Sequence, residues 1–268
     1  MTEQPKYFQV EKDGAVIIWK FYNPPKNLWT TETGMEFVRL ENEFYADPEL
    51  RVGVFTSAMP DVFIQHFDVS ILVNMGEDLA KKMKDAPPQQ RRPGFKRESK
   101  PIIAAINANL AGGGLERVMS FDFRFMSRSA STAQSEVMVG ILPGGGGTQR
   151  MPRLIGIAKA LELQLTGRRI FADEAERLNL ITRACDPDKL MPEALAFAGE
   201  LALRPPLAVH HIRQCIYEGM DMPLEDGLAM ESELMRELLS SDEALERMRA
   251  YVATGQNARP VQQQEEQK

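Results

Sequence analysis

The sequence has few of the residues that build disulfide-rich or metal-binding proteins. Its 268 residues include two cysteines, Cys185 and Cys215, and three histidines, none of them at a spacing typical of metal ligands. Two isolated cysteines favour reduced thiols, and no metal site is predicted. No apolar run reaches the roughly 18 residues of a membrane span, and the first residues lack the apolar segment of a secretory leader. A cytoplasmic protein without a membrane segment is therefore expected.

The charge balance and the absence of two motifs argue against nucleic-acid-binding and nucleotide-binding proteins. The formal net charge is −6 and the isoelectric point is near 5.3. A nucleic-acid-binding protein needs a basic face, so this balance argues against a nucleic-acid partner. Neither the glycine fingerprint of dinucleotide-binding folds nor the glycine-lysine motif of P-loop proteins occurs. With 43% hydrophobic and 26% charged residues, the composition is that of an ordinary globular protein.

The first half of the chain has the pattern of an α/β protein. Phe8–Val10 and Ala15–Phe21 flank an Asp-Gly turn and predict a hairpin. Thr31–Phe44 has apolar residues near helical spacing, and Thr30 or Thr31 can cap this helix. Further strands are predicted at Val52–Thr56, Ile102–Ile106, Phe123–Met126 and Thr132–Gln134. Strands separated by helices predict an α/β core with crossover connections.

After Gly147 the pattern is almost entirely helical, apart from a strand predicted at Ile181–Ala184. The predicted helices are Ala158–Leu165, Ala172–Leu178, Leu190–Leu203, Pro206–Glu218, Pro223–Leu239 and Asp242–Val252. These patterns predict an α/β core over residues 1–190, a helical subdomain over 191–255 and a disordered polar tail over 256–268.

Three segments contain the glycines and the carboxylates that could carry out chemistry. Glycines 112–114 follow a predicted buried strand and precede Glu116, which leaves unpaired N–H groups at a helix start. Such groups suit a developing oxyanion, although a packing role for the glycines and a helix-dipole role for Glu116 would also explain them. Glu136 lies 20 residues further on, among small and apolar residues that would raise its pKa by desolvation. Four consecutive glycines, 144–147, then open a helix.

In combination these segments resemble the crotonase superfamily. The order Gly-Gly-Gly-Leu-Glu at 112–116, a glutamate at 136 and Gly-Ile-Leu-Pro-Gly-Gly-Gly-Gly-Thr-Gln-Arg at 140–150 is typical of that family. The resemblance continues through residues 151–156 and 166–175, and upstream through 23–25 and 100–107. The chain is therefore identified, over roughly residues 8–255, as a member of the enoyl-CoA hydratase/isomerase (crotonase) superfamily.

The resemblance implies an enzyme that binds acyl-CoA thioesters and holds an enolate oxyanion between two backbone N–H groups. These groups would belong to Gly113 in the glycine run and to Phe67, which precedes an aspartate in the family's other oxyanion segment. Only a correctly aimed amide is required, so the side chain at position 67 need not match the family. The residues expected to line the substrate and CoA site are Lys26, Gln65, His66, Asp68 and Gly112.

Three residues near the expected site depart from the family pattern. His66 and Phe67 stand where relatives have glycine and alanine, which favours a reshaped acyl pocket over a direct chemical role for His66. If the glycine position needs a positive φ, His66 is strained there. Arg117 stands where relatives have an apolar residue. A helix-surface ion pair would explain Arg117, and so would a charged partner near the site.

Glutamates at both family positions imply the hydration of a 2-enoyl-CoA. By analogy, Glu116 would activate a water molecule for attack on the β-carbon, and Glu136 would deliver a proton to the α-carbon. The alternatives on the same scaffold are double-bond isomerisation, retro-aldol cleavage by a hydratase-lyase and hydrolysis of the CoA thioester. A non-catalytic RNA-binding role is disfavoured by the acidic charge balance.

The resemblance also implies the architecture and the assembly. The expected fold is a spiral of ββα units that forms two nearly perpendicular sheets, followed by a helical C-terminal trimerisation region. A homotrimer or a hexamer built as a dimer of trimers is expected. No cofactor is expected beyond the coenzyme A moiety of the substrate.

Overall fold

The structure is a computed structural model that describes residues 4–82 and 100–254. The described chain divides into two compact units. The larger unit contains residues 4–82 and 101–199, and the smaller one contains Lys100 and residues 200–254. The tail predicted at 256–268 lies outside the described residues. None of the described helices is long and apolar enough to cross a membrane.

The larger unit contains ten strands and seven helices. The strands are β1 (Phe8–Asp13), β2 (Val16–Phe21), β3 (Val52–Ser57), β4 (Val62–Ile64), β5 (Ile102–Ile106), β6 (Asn109–Ala111), β7 (Phe123–Ser127), β8 (Ser131–Ala133), β9 (Ile170–Phe171) and β10 (Arg183–Cys185). The helices are α1 (Thr31–Ala46), α2 (Val69–Lys82), α3 (Gly113–Val118), α4 (Gly147–Ile155), α5 (Ile157–Thr166), α6 (Ala172–Arg177) and α7 (Leu190–Ala202), whose last residues reach into the smaller unit. A 3₁₀ helix covers Glu136–Val139.

The strands form two sheets. The large sheet has the order β1-β2-β3-β5-β7-β10, and only its β1–β2 pair, the predicted hairpin, is antiparallel. The small sheet has the order β4-β6-β8-β9, in which β4, β6 and β8 are parallel. Three times the chain passes from a strand of the large sheet to a short strand of the small sheet and then to a helix. These turns are the ββα units expected from the sequence.

The smaller unit is helical. It contains α8 (Pro206–Gly219), α9 (Leu224–Ser240) and α10 (Asp242–Thr254). Pro206 occupies the first turn of α8, where N–H groups have no intrahelical acceptor, so the absence of an N–H group costs no hydrogen bond. Helix α9 has no buried residue in the described chain and exposes a row of large apolar side chains, Leu224, Leu228, Met235 and Leu239.

Aromatic side chains form the core between α1 and the large sheet. Trp19 and Phe37 are fully buried, and their rings meet edge to face with centroids 5.3 Å apart. Thr30 and Thr33 form a reciprocal capping box that starts α1 and so sets the helix against this core. The buried face of α1 comprises Thr33, Phe37, Leu40, Glu41 and Phe44. Glu41 is therefore a carboxylate at a position where helical spacing would place an apolar residue.

Gly53 in β3 is needed because Trp19 packs directly on it. A β-carbon at Gly53 would lie 2.4 Å from the indole of Trp19, whose side chain is 0% exposed and has no room to move. Gly53→Ala is therefore expected to lower the free energy of unfolding by about 1–3 kcal/mol or more, measured by urea denaturation. Gly76→Ala in α2 is the control, because a β-carbon there meets nothing within 4 Å. An unchanged stability of Gly53→Ala would contradict this packing.

Candidate active site

The site residues lie on three loops that follow neighbouring parallel strands of the small sheet. Residues 65–68 follow β4, residues 112–116 follow β6 and residues 134–136 follow β8. Parallel strands end at the same edge of a sheet, so their carboxyl ends bring the three loops together. Short strands of three residues therefore suffice to position the whole site.

Trp29 fixes the backbone of the first loop. Its N–H donates to the carbonyl oxygen of His66 at 2.9 Å, and its own carbonyl accepts from the N–H of Asp68 at 2.8 Å. In a trans peptide the N–H points opposite to the preceding C=O, so the N–H of Phe67 points away from Trp29. It points towards the glycine loop, because a β-carbon on Gly113 would lie 3.3 Å from the nitrogen of Phe67.

The N–H groups of Phe67 and Gly113 are both free to bind a ligand. Neither donates a hydrogen bond to any group of the residues that the structure describes. Gly113 is the first residue of α3, where an N–H has no intrahelical acceptor. A β-carbon on Gly113 would lie 2.9 Å from Cβ of Phe67, so the close approach of the two loops needs a glycine there. Gly112 precedes it with φ 53° and ψ −126°, a conformation suited to glycine.

Glu116 lies in a buried setting built by the four-glycine turn. Glu116 is 5% exposed, and its Oε1 accepts a hydrogen bond of 2.7 Å from the N–H of Gly147. β-Carbons on Gly145 and Gly147 would lie 2.8 and 3.0 Å from the two carboxylate oxygens. Burial raises the pKa of Glu116, and the nearby charge of Glu136 raises it further, whereas the Gly147 hydrogen bond opposes the rise.

Glu136 begins the 3₁₀ helix and has one free carboxylate oxygen. Its Oε1 accepts a 2.8 Å hydrogen bond from Nε2 of Gln134. Its Oε2 is buried and has no hydrogen-bond partner within residues 4–82 and 100–254. Burial raises the pKa of Glu136, as its neighbours in the sequence predict, and its hydrogen bonds and the charge of His66 act in the opposite direction. A raised pKa favours the protonated form of a carboxyl group, the form that can donate a proton.

Gln134 binds Glu136, lies close to the glycine turn that holds Glu116, and was not predicted as a site residue. Its Nε2 bonds to Glu136, while its Oε1 is buried without a partner in the described chain. A β-carbon on Gly147 would lie within about 3 Å of both Gln134 Oε1 (3.1 Å) and Glu116 Oε1 (3.0 Å). The amide oxygen of Gln134 and the carboxylate of Glu116 therefore both face Gly147. Its place at the end of β8, two residues before Glu136, is a signal that could have been read from the sequence.

The structure corrects two expectations about unusual residues. His66 is not strained, because Asn27 and Asn179 are the only non-glycine residues with a positive φ in the described chain. Phe67 packs partly against the hydrophobic core. Arg117 is not on the helix surface.

Arg117 lies in a buried aromatic setting. Its Nη2 is 2.6 Å from Oε2 of Glu41, and the two side chains are 13% and 8% exposed. The guanidinium carbon lies 4.5, 5.2 and 5.7 Å from the ring centres of Phe37, Phe121 and Trp29. The acidic partner is thus a core residue of α1, and Arg117 packs against the residue that holds the Phe67 loop.

The remaining predicted residues lie around the loop after β4. Gln65 and Lys26 are exposed, and Asp68 accepts hydrogen bonds from the N–H and hydroxyl groups of Ser70. These bonds lower the pKa of Asp68, and the charges of His66 and Lys26 contribute. Lys26 therefore stands close to the loop, where its ammonium group is accessible to an anionic ligand.

Comparison with known proteins shows the family of this chain. The family model described as enoyl-CoA hydratase/isomerase matches residues 11–259. The chain belongs to the enoyl-CoA hydratase/isomerase family. The short-chain-enoyl-CoA hydratase of Clostridium acetobutylicum is 33% identical over 91% of this chain and 93% of its own length. The crotonyl-CoA hydratase of Syntrophomonas wolfei is 31% identical over 91% of this chain and 94% of its own length.

Solved structures of the enoyl-CoA hydratase/isomerase family have the same fold. The enoyl-CoA hydratase from Bacillus anthracis superposes with a TM-score of 0.82 at 28% identity, over 92% of this chain and 96% of that structure. The family and the crotonase-like fold expected from the sequence are thereby confirmed. The roles assigned to individual site residues stay predictions.

Proposed function

We propose that this enzyme reversibly adds water to the double bond of a 2-enoyl-CoA thioester. The observation that carries the proposal is a pair of carboxyl groups with raised pKa, that of the buried Glu116 and that of the half-buried Glu136, beside the free N–H groups of Phe67 and Gly113. Two full-length relatives named as hydratases of short-chain enoyl-CoA and crotonyl-CoA support hydration as the reaction and a short acyl chain as the first substrate to test.

In this mechanism the amides and the carboxyl groups have separate tasks. The N–H groups of Phe67 and Gly113 bind the thioester oxygen, which becomes negatively charged when the β-carbon is attacked. Glu116, held by the N–H of Gly147, orients a water molecule and accepts its proton. Glu136, whose Oε2 is free, delivers a proton to the α-carbon. The coenzyme A moiety is part of the substrate, and no further cofactor takes part.

A panel of thioesters tests the proposal. Crotonyl-CoA, a longer 2-enoyl-CoA, an aromatic 2-enoyl-CoA and a 3-enoyl-CoA are each mixed with the enzyme, and the absorbance of the conjugated thioester and the release of free thiol are followed together. Hydration lowers the absorbance without releasing thiol. Thiol release would identify a hydrolase, and a gain of absorbance with a 3-enoyl-CoA as the only reaction would identify an isomerase. If no enoyl-CoA is hydrated, the proposal is wrong.

The proposal extends to the oligomeric state of the enzyme and to its location in the cell. A homotrimer or a hexamer is supported by the exposed apolar row on α9, which has no covering partner within the described chain. In such an assembly these side chains would be buried between subunits. The phosphate groups of coenzyme A would meet Lys26, and the cytoplasmic location expected from the sequence stays a prediction.

A further inference from the structure

The backbone of the first loop presents a carbonyl group to the site as well as an N–H group. Trp29 binds the C=O of His66 and the N–H of Asp68, which flank Phe67 on either side. Both groups of Phe67 itself therefore point away from Trp29 and to the side of the glycine loop. A bare carbonyl oxygen there would place the negative end of a dipole beside the N–H group that has to hold an oxyanion.

His66 covers this carbonyl oxygen. Its Nδ1 lies 2.7 Å from the oxygen of Phe67, and only a protonated ring nitrogen can donate to a carbonyl, so the proton of this bond is on Nδ1. The side chain also lies against the glycine loop, because a β-carbon on Gly112 would be 3.7 Å from Cβ of His66 and 3.0 Å from Oε1 of Glu136. The side chain of His66 thus lies where its own loop approaches the glycine loop.

We propose that His66 is a positioning residue of this site. Its Nδ1–H binds the carbonyl oxygen of Phe67, so that only the N–H group of Phe67 faces the thioester oxygen with an unpaired dipole. The inference rests on the proposed function, since it assigns His66 to the oxyanion contact of that reaction. It gives a task to the residue that departs most from the family's glycine. Because the backbone at position 66 is unstrained, the histidine is tolerated without a conformational cost.

Two substitutions separate hydrogen bonding from filling of space. The side-chain amide of His66→Asn can place an N–H group where Nδ1 stands, but it is smaller than imidazole. His66→Leu has about the volume of the ring and no donor. We expect kcat for crotonyl-CoA to fall roughly ten-fold or more in His66→Leu and to stay within about three-fold of the wild type in His66→Asn, with KM changing less than kcat in both.

Controls make the outcome specific. His210→Leu removes a half-buried histidine outside the site and is expected to leave kcat unchanged. Thermal unfolding of all variants shows whether a loss of rate is only a loss of folded enzyme. If His66→Leu retains kcat and His66→Asn loses it, His66 fills space and the inference is wrong. It is also wrong if neither variant changes kcat. A wild-type enzyme that hydrates no enoyl-CoA would instead refute the proposed function.

Discussion

Glu136→Gln and Glu116→Gln are each expected to lower kcat for hydration by about 10²- to 10⁴-fold, the range that general acid–base groups supply. The amide has the size of the carboxyl group but cannot transfer a proton. At position 116 its oxygen can still accept the hydrogen bond from Gly147, so the glycine turn stays in place. At position 136 the amide cannot deliver the proton that the proposed mechanism assigns to the unpaired oxygen Oε2 of Glu136. Steady-state rates with crotonyl-CoA measure both effects.

Glu49→Gln is the matched control for these variants. It makes the same chemical change at an exposed glutamate between α1 and β3, and kcat is expected to equal that of the wild type. Near-ultraviolet circular dichroism checks that the aromatic core is intact in all three proteins. Wild-type turnover in a folded Glu116→Gln or Glu136→Gln variant would remove that residue from the acid–base role.

Arg117→Leu is expected to lower the free energy of unfolding by about 3–5 kcal/mol, because it leaves the carboxylate of Glu41 buried without its partner. That carboxylate is only 8% exposed, and one of its oxygens already lacks a hydrogen bond in the described chain. The cation–π contacts with Phe37, Phe121 and Trp29 are lost as well. Urea denaturation at neutral pH measures the loss.

The double variant Glu41→Leu/Arg117→Leu shows whether the loss comes from the unpaired charge. Two apolar side chains in this core need no partner, so the double variant is expected to recover most of the stability. The exposed pair Lys12–Asp47, whose lysine is 59% exposed, supplies the control. Lys12→Leu is expected to cost about 1 kcal/mol or less. A double variant as unstable as Arg117→Leu would show that packing, and not charge, accounts for the effect.

Much of the fold could be predicted because its long elements have a clear periodicity. The hairpin of β1 and β2, the strands β3, β5 and β7, and α1 lie where the sequence places them, within a few residues. The strand predicted at Ile181–Ala184 is also present, at Arg183–Cys185. The strands β4, β6 and β9 were missed, since two or three residues carry no alternation that could be recognised. Helix α2 was missed as well.

The site was predicted unevenly for a related physical reason. The glycine loop and the two glutamates are adjacent to recognisable motifs, so their neighbourhood could be inferred from the resemblance. The pairing of Glu41 with Arg117 joins residues that are 76 positions apart, and no local pattern indicates such a contact. The unstrained backbone of His66 depends on the bonds that Trp29 makes, which appear only when the loop is folded against it.

Each chemical part of the site follows its own strand of the small sheet, so the sheet sets the spacing of the parts. Neighbouring strands among β4, β6 and β8 lie about 4.8 Å apart, whatever sequence the loops carry. A bulky side chain in the loop at 65–68 must therefore fit against small residues of the next loop, and Gly112 and Gly113 stand where His66 and Phe67 approach. In evolution and in protein engineering, the loop after β4 and the glycine loop are expected to change together.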